Sequence, residues 1–217
     1  TDNMNFGNPQ KPEIMGQFVG AVQGLKEAGL ALGYPVVSGN CSLYNETNGQ
    51  GIMPTPAIGG VGLLKDITRR ASIPLKRWGD QIILIGETKG WLGQSIYARD
   101  VHGLKDHAPP PVDLTAEKRN GDFIRTRIED GILDTVHDLS DGGLIVALAE
   151  MIMSSNPDDD IGSQIDLPEG VEPHAFLFGE DQARYLVALP EEASKKLLAD
   201  ARAAGVPAIR LGVAGGR

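Results

Sequence analysis

The stretch Ser38-Gly39-Asn40-Cys41-Ser42 gathers small side chains with oxygen donors and acceptors where an apolar run, Tyr34 to Val37, ends. Ser38, Asn40 and Ser42 could hold a polar ligand without steric bulk, and Gly39 permits positive φ or a close approach of backbone to ligand. The same residues favour an ordinary strand-to-loop turn for local reasons, and both readings stand at this level. A second polar cluster, His137-Asp138-Leu139-Ser140-Asp141-Gly142-Gly143, runs straight into apolar residues at helical spacing. Ser140 or Asp141 can cap that helix, or the paired glycines can open its first N–H groups to an anion. His137, alone beside a carboxylate, fits a hydrogen-bonded structural residue better than an acid or base. Glu180-Asp181 offers either a carboxylate pair suited to Mg2+ or a turn.

Other chemistries fail on their details. Gly86 to Ser95 lies between a strand-like and a helix-like segment, as a phosphate loop would. It lacks the Gly-Lys-Ser/Thr ending and the spacing of a dinucleotide fingerprint. No G-x-S-x-G elbow is present for a serine hydrolase, and the four histidines lack metal-ligand spacing. Twenty-nine acidic against twenty basic residues leave a net charge of -9 with no Lys/Arg block, which argues against a nucleic-acid surface. Cys41 is the sole cysteine, so disulfides and thiolate clusters are excluded. A reducing, cytosolic setting follows, with Cys41 expected as a small buried filler. No apolar run reaches membrane-spanning length, so a soluble chain is expected. A first residue of Thr1 suggests a piece excised from a longer polypeptide.

These residues need elements to hold them. Pro12 can open a helix whose apolar positions Ile14, Phe18, Val22, Leu25 and Ala28 recur at three- and four-residue steps, with Gly33 as its stop. That helix feeds a strand over 34–37. Asn48-Gly49 predicts a tight hairpin between 42–47 and 51–57, followed by a glycine-laced strand over 58–64. A boundary near residue 70 leads into strands at 81–85, 132–138, 185–189 and 208–213, and helices at 94–101, 113–130, 142–155 and 190–204. Asp113 is available as a cap. The prolines of 107–113 require an extended loop. Interleaved strands and helices predict an α/β (α+β) fold rather than a bundle or sandwich.

Taken together, TDNMNFGNPQKPEIMGQFVGAVQGL, PVVSGNCSLYNET, PTPAIGGVGL, HDLSDGGLIVALAEM and FGEDQARYLVALP resemble, in order and over nearly the whole chain, the synthetase-subunit family of the phosphoribosylformylglycinamidine synthases. Its members carry two tandem A-plus-B domain pairs of the aminoimidazole-ribonucleotide-synthetase type. The resemblance implies that residues 1–70 are the remainder of the second A domain and 71–217 most of the second B domain. It implies a reaction of purine biosynthesis in which ATP, with Mg2+, phosphorylates the amide oxygen of formylglycinamide ribonucleotide and ammonia displaces the phosphate. By the same resemblance Asp2 and Gly39 match nucleotide-binding positions, Asn40 a Mg2+ ligand and Ser42 a substrate contact. Cys41 stands where many relatives would have valine, and Asn3-Met4 where Cys-Leu is expected.

The implied partners are a glutaminase subunit, a small bridging subunit and the first A/B repeat. That repeat carries the family's catalytic histidine, a role none of this chain's histidines inherits, so the chain alone is expected to be inactive. A structural nucleotide-binding scaffold, or a sister kinase or synthetase of the same architecture, are the alternatives. An incomplete A-domain sheet would leave unpaired edges, so self-association is expected.

Overall fold

The computed structural model describes residues 1–104 and 107–216. The chain divides into two compact units, Thr1–Lys65 and Asp66–Arg217.

In the first unit, β1 (Asp2–Asn5) is the centre of a three-stranded sheet, parallel to β2 (Gly39–Ser42) and antiparallel to β5 (Thr55–Ile58). Helix α1 (Pro12–Leu32) starts with Pro12 and ends at Gly33, whose φ of 66° supplies the left-handed stop. The hairpin forms as β3 (Glu46–Thr47) and β4 (Gln50–Gly51), with φ of 52° at Asn48 and 79° at Gly49, as a type I′ turn requires. Its arms are much shorter than expected.

Two further expectations fail in this unit. Residues 34–37 form no strand; the strand begins at Gly39, inside the supposed turn, because β1 provides its hydrogen-bonding partner. The later strand is Thr55–Ile58 rather than 58–64. Past Ile58 the chain leaves β1, and Val61 is 96% exposed.

The second unit is built on a five-stranded antiparallel sheet in the order β7 (Val136–Asp138), β9 (Tyr185–Leu189), β6 (Gln81–Ile85), β10 (Ala208–Ala214) and β8 (Ser163–Ile165). Ile82, Leu84, Leu186 and Ala188 pack with Leu144, Leu148 and Met151 of α3 (Gly143–Met153) and Phe176 of α4 (Pro173–Phe178). The alternate residues Ile83, Ile85, Val187 and Leu189 pack on the other face. Their partners are Phe123 and Ile124 of α2 (Leu114–Glu129) and Leu197 and Ala201 of α5 (Glu191–Ala203). Helices on both faces explain why β6 and β9 read as unbroken apolar runs instead of alternating ones. Asp113 caps α2, accepting from the N–H groups of Thr115 and Ala116. The segment expected to be helical at 94–101 is a single π-helical turn, Tyr97–Val101, and the 132–138 strand is confined to Val136–Asp138.

Arg77 ties the entrance of β6 to the segment before β7. Its guanidinium makes a paired contact with Asp134, at 3.0 and 3.1 Å, while Nε donates to the buried Asp80. The Arg77 hydrogen bond holds the Asp134 carboxyl below the usual aspartate range, against partial burial. The pair's contribution is therefore complete above the ordinary aspartate value and is lost as pH falls through the lowered folded value. In Asp134→Asn this acid-side loss should shrink, as read by urea unfolding over a pH series. Superimposable acid limbs for the two proteins would contradict it.

Candidate functional site

Strand pairing decides where the four candidate residues of the first unit sit. In the β1–β2 register Asp2 is opposite Gly39, Asn3 opposite Asn40, and Asn5 opposite Ser42. Because side chains alternate along a strand, Asp2, Met4, Gly39 and Cys41 share one face, and Asn3, Asn5, Asn40 and Ser42 the other. The first face borders a hollow of ≈ 560 Å³ whose walls include Val22, Leu25 and Lys26 of α1 together with Val36. On the second face Ser42 Oγ lies 3.2 Å from Asn45 Oδ1, and Asn45 Nδ2 donates to the carbonyls of Phe6 and Ser42. By register Asp2 and Gly39 share one face of the sheet and Asn40 and Ser42 the other, and Asn40 also borders the hollow that Asp2 and Gly39 line.

Gly39 owes its identity to a neighbouring strand. Its φ is not positive, and a Cβ built on it would stand 2.2 Å from the Asp2 carbonyl oxygen. The close approach that glycine allows is that of β1. Cys41, expected to be buried, is an exposed free thiol on the wall of the hollow.

In the second unit the polar motifs meet through carboxylates. Asp181, 7% exposed, accepts from the backbone N–H groups of Lys89 and Gly90 at Oδ2, at 2.9 and 2.8 Å, and of Trp91 at Oδ1, at 3.2 Å. Glu180 Oε1 accepts from Ile96 N and Gly142 N, each at 2.8 Å. The loop after β6 therefore does form an anion-binding nest, and the anion is the chain's own Asp181. Neither Ser140 nor Asp141 caps α3, correcting the expectation. Gly142 and Gly143, with φ of 82° and 71°, turn the entering chain so that the Glu180 carboxylate reaches the Gly142 N–H. Of the two readings of Glu180-Asp181, the structure supports the structural one: both carboxylates are engaged by main-chain donors. His137 is likewise bonded, 2.8 Å from Glu150 Oε2.

A cavity of ≈ 460 Å³ lies beside this knot and is lined by Asp138, Ser140, Asp141 and Glu180 along with three residues that sequence reasoning missed, Glu117, Arg184 and Tyr185. All three titrate abnormally. Burial pushes the Glu117 carboxyl up, aided by Asp113 and opposed by the Ala183 backbone. Burial lowers Arg184, which is 2% exposed, against the pull of Asp181 and Glu180. Burial, Glu117 and Asp138 raise the Tyr185 phenol. Arg184 donates to the carbonyls of Asp181 and Gly179 and to Thr88 Oγ1. Its charged group in a buried site braces the same knot. In the sequence Arg184 stands directly ahead of the apolar run 185–189, inside the stretch FGEDQARYLVALP, with nothing to mark its burial.

Residues 77–217 match the family model described as AIR synthase related protein, C-terminal domain. Over all 217 residues the chain is 60% identical to the phosphoribosylformylglycinamidine synthase subunit PurL of Bradyrhizobium sp. strain BTAi1 and 58% identical to that of Nitrobacter hamburgensis. It spans 29% of the length of each. Three solved structures share the fold. "T. maritima PurL complexed with FGAR" has a TM-score of 0.74 at 19% identity, covering 99% of this chain and 35% of that one. "T. maritima PurL complexed with ATP" has 0.70 at 17%, covering 100% and 33%. "Structure of PurLQS from Thermotoga maritima" has 0.71 at 16%, covering 100% and 34%. With most of its length matched by one family model, the chain belongs to the AIR synthase related proteins, through their C-terminal domain.

Proposed function

We propose that the chain is a segment of an ATP-dependent carbon–nitrogen ligase that converts formylglycinamide ribonucleotide to its amidine in cytoplasmic purine biosynthesis, using ammonia drawn from glutamine. The observation that carries this reading is 60% identity to a PurL subunit across all 217 residues. The Thermotoga complexes named for ATP and FGAR support the nucleotide and the substrate. The structure named for PurLQS supports further subunits as partners, which the family resemblance identifies as a glutaminase and a small bridging subunit. In this reading residues 1–70 complete an A domain and 71–217 form a B domain.

Asp2 and Gly39 would then serve the nucleotide and Ser42 the ribonucleotide. The hollow beside β2 suits the nucleoside part of ATP. Met4, Val22, Leu25 and Val36 give apolar walls, the Asp2 carboxylate can accept from hydroxyl or amino groups, and Lys26 brings one positive charge. Mg2+ fits less well. Asn40 offers a single amide oxygen, and among the described residues no group of three or more His, Cys, Asp and Glu could hold a metal ion. Asn40 would be one ligand in a set completed outside this chain, so no step is assigned to the metal here.

The chain alone should form no amidine. Inserted into Bradyrhizobium PurL in place of its matching segment, it should sustain ATP- and ammonia-dependent conversion of formylglycinamide ribonucleotide. A folded but inactive chimera would refute the proposal. Exposed apolar side chains such as Val19, Leu30 and Leu63 support self-association of the isolated chain, which light scattering would test by a mass above the monomer's.

A further inference from the structure

The chain contains two Asn-Gly dipeptides, Asn48-Gly49 and Asn120-Gly121, in opposite environments. In such a pair the backbone nitrogen of the glycine can attack the asparagine Cγ. A C–N bond forms, the bond to the side-chain nitrogen breaks, and ammonia leaves behind a succinimide ring. Water then opens the ring at either carbonyl to give aspartate or isoaspartate, with no oxidant or reductant involved. Glycine favours the attack because no Cβ shields its nitrogen. The reaction further requires a side-chain amide that is not held and a backbone nitrogen free to swing.

Asn48 meets both conditions. It stands exposed at the tip of the β3–β4 hairpin, where among the described residues neither its side chain nor Gly49 N makes a hydrogen bond, and Gly49 O accepts from Lys11 Nζ at 3.2 Å. Arms of two residues each open at little cost. Asn120 fails both. It is 1% exposed, its Nδ2 donates to Ala183 O at 2.9 Å, its Oδ1 accepts from Arg119 Nε at 3.1 Å, and Gly121 lies inside α2.

We propose that Asn48 is a site of spontaneous deamidation, with water as co-reactant, and that the fold protects Asn120 from the same reaction. The product matters locally. Isoaspartate adds a methylene to the main chain of a two-residue turn, and a new carboxylate there competes for Lys11, which pairs with Glu46 at 2.7 Å. Glu46 also accepts from Asn8 N, so the hairpin's anchor to the segment between β1 and α1 loosens.

The test is incubation of the folded 217-residue chain in mildly alkaline buffer, its folding checked by circular dichroism, with peptide-resolved mass spectrometry over time. Asn48 should convert at least about tenfold faster than Asn120, since an opening cost of about 1.4 kcal/mol at the buried site already gives that factor. In denaturant the two should convert at comparable rates, which assigns the difference to the fold. A smaller ratio in the folded chain overturns the proposal. So does an Asn48 that stays intact over the time in which the unfolded chain converts.

Discussion

Replacing Asp181 by alanine should destabilise the second unit by about 3 kcal/mol or more, the range for removing one side of a buried charged network. The carboxylate receives the N–H groups of Lys89, Gly90 and Trp91, and each donor left without an acceptor away from water costs about 1–3 kcal/mol. Water can reach part of the loop, which keeps the total below the sum. The loss spreads further, because Arg184 is almost wholly buried and the charge of Asp181 compensates it more than that of Glu180. Asp181→Asn should be no rescue: an amide offers one acceptor oxygen and turns its own donors towards N–H groups. Urea unfolding decides the matter. A change within about 0.5 kcal/mol, as for an ordinary surface substitution, would show that the nest does not depend on its carboxylate.

Gly39→Ala should be comparably severe in the first unit. The added methyl would meet the Asp2 carbonyl oxygen at 2.2 Å, an obstacle in the main chain of the adjacent strand rather than in a flexible side chain. Overpacking of this kind costs about 1–3 kcal/mol, and more where the backbone cannot shift. Asp2 N to Ser38 O and Phe6 N to Ser42 O, at 3.1 and 3.0 Å, close both ends of the strand pair, so relief requires parting β1 from β2. Gly24→Ala is the matched control. A Cβ there meets nothing within 4 Å, and alanine in a helix interior should stabilise by up to about 1 kcal/mol. Amide hydrogen exchange at Asn3 to Asn5 reports the outcome, with unchanged protection in Gly39→Ala contradicting the strand-packing account.

What was legible in the sequence were features whose causes are local. Pro12 and Gly33 mark the ends of α1, Asn48-Gly49 marks its turn, Asp113 caps α2, and the apolar runs 81–85 and 185–189 are strands buried on both faces. What was not legible depends on partners distant in the chain. Residues 39–42 carry turn chemistry, yet form a strand because β1, 37 residues earlier in register, pairs with them. Glu180 and Asp181 have the right atoms for a cation, but their partners are loops on the far side of the sequence, up to 92 residues away. The Gly86–Ser95 loop lacks the spacing of a phosphate loop, which argues against that reading in the sequence; only the fold reveals that its N–H groups cradle an anion, and that the anion is internal. Glu117 carries no motif, Arg184 and Tyr185 lie in the stretch FGEDQARYLVALP, which assigns them no role, and the shifts of all three arise from burial, which no residue type announces.

In the proposed function one strand pair serves two ligands from opposite faces, Asp2 with Gly39 towards the nucleotide and Ser42 towards the ribonucleotide. Steady-state kinetics of the PurL chimera carrying Asp2→Ala or Ser42→Ala tests this most directly. Asp2→Ala should raise KM for ATP with little change for formylglycinamide ribonucleotide, and Ser42→Ala should do the reverse. Both substitutions raising the same KM, or neither raising any, would contradict it.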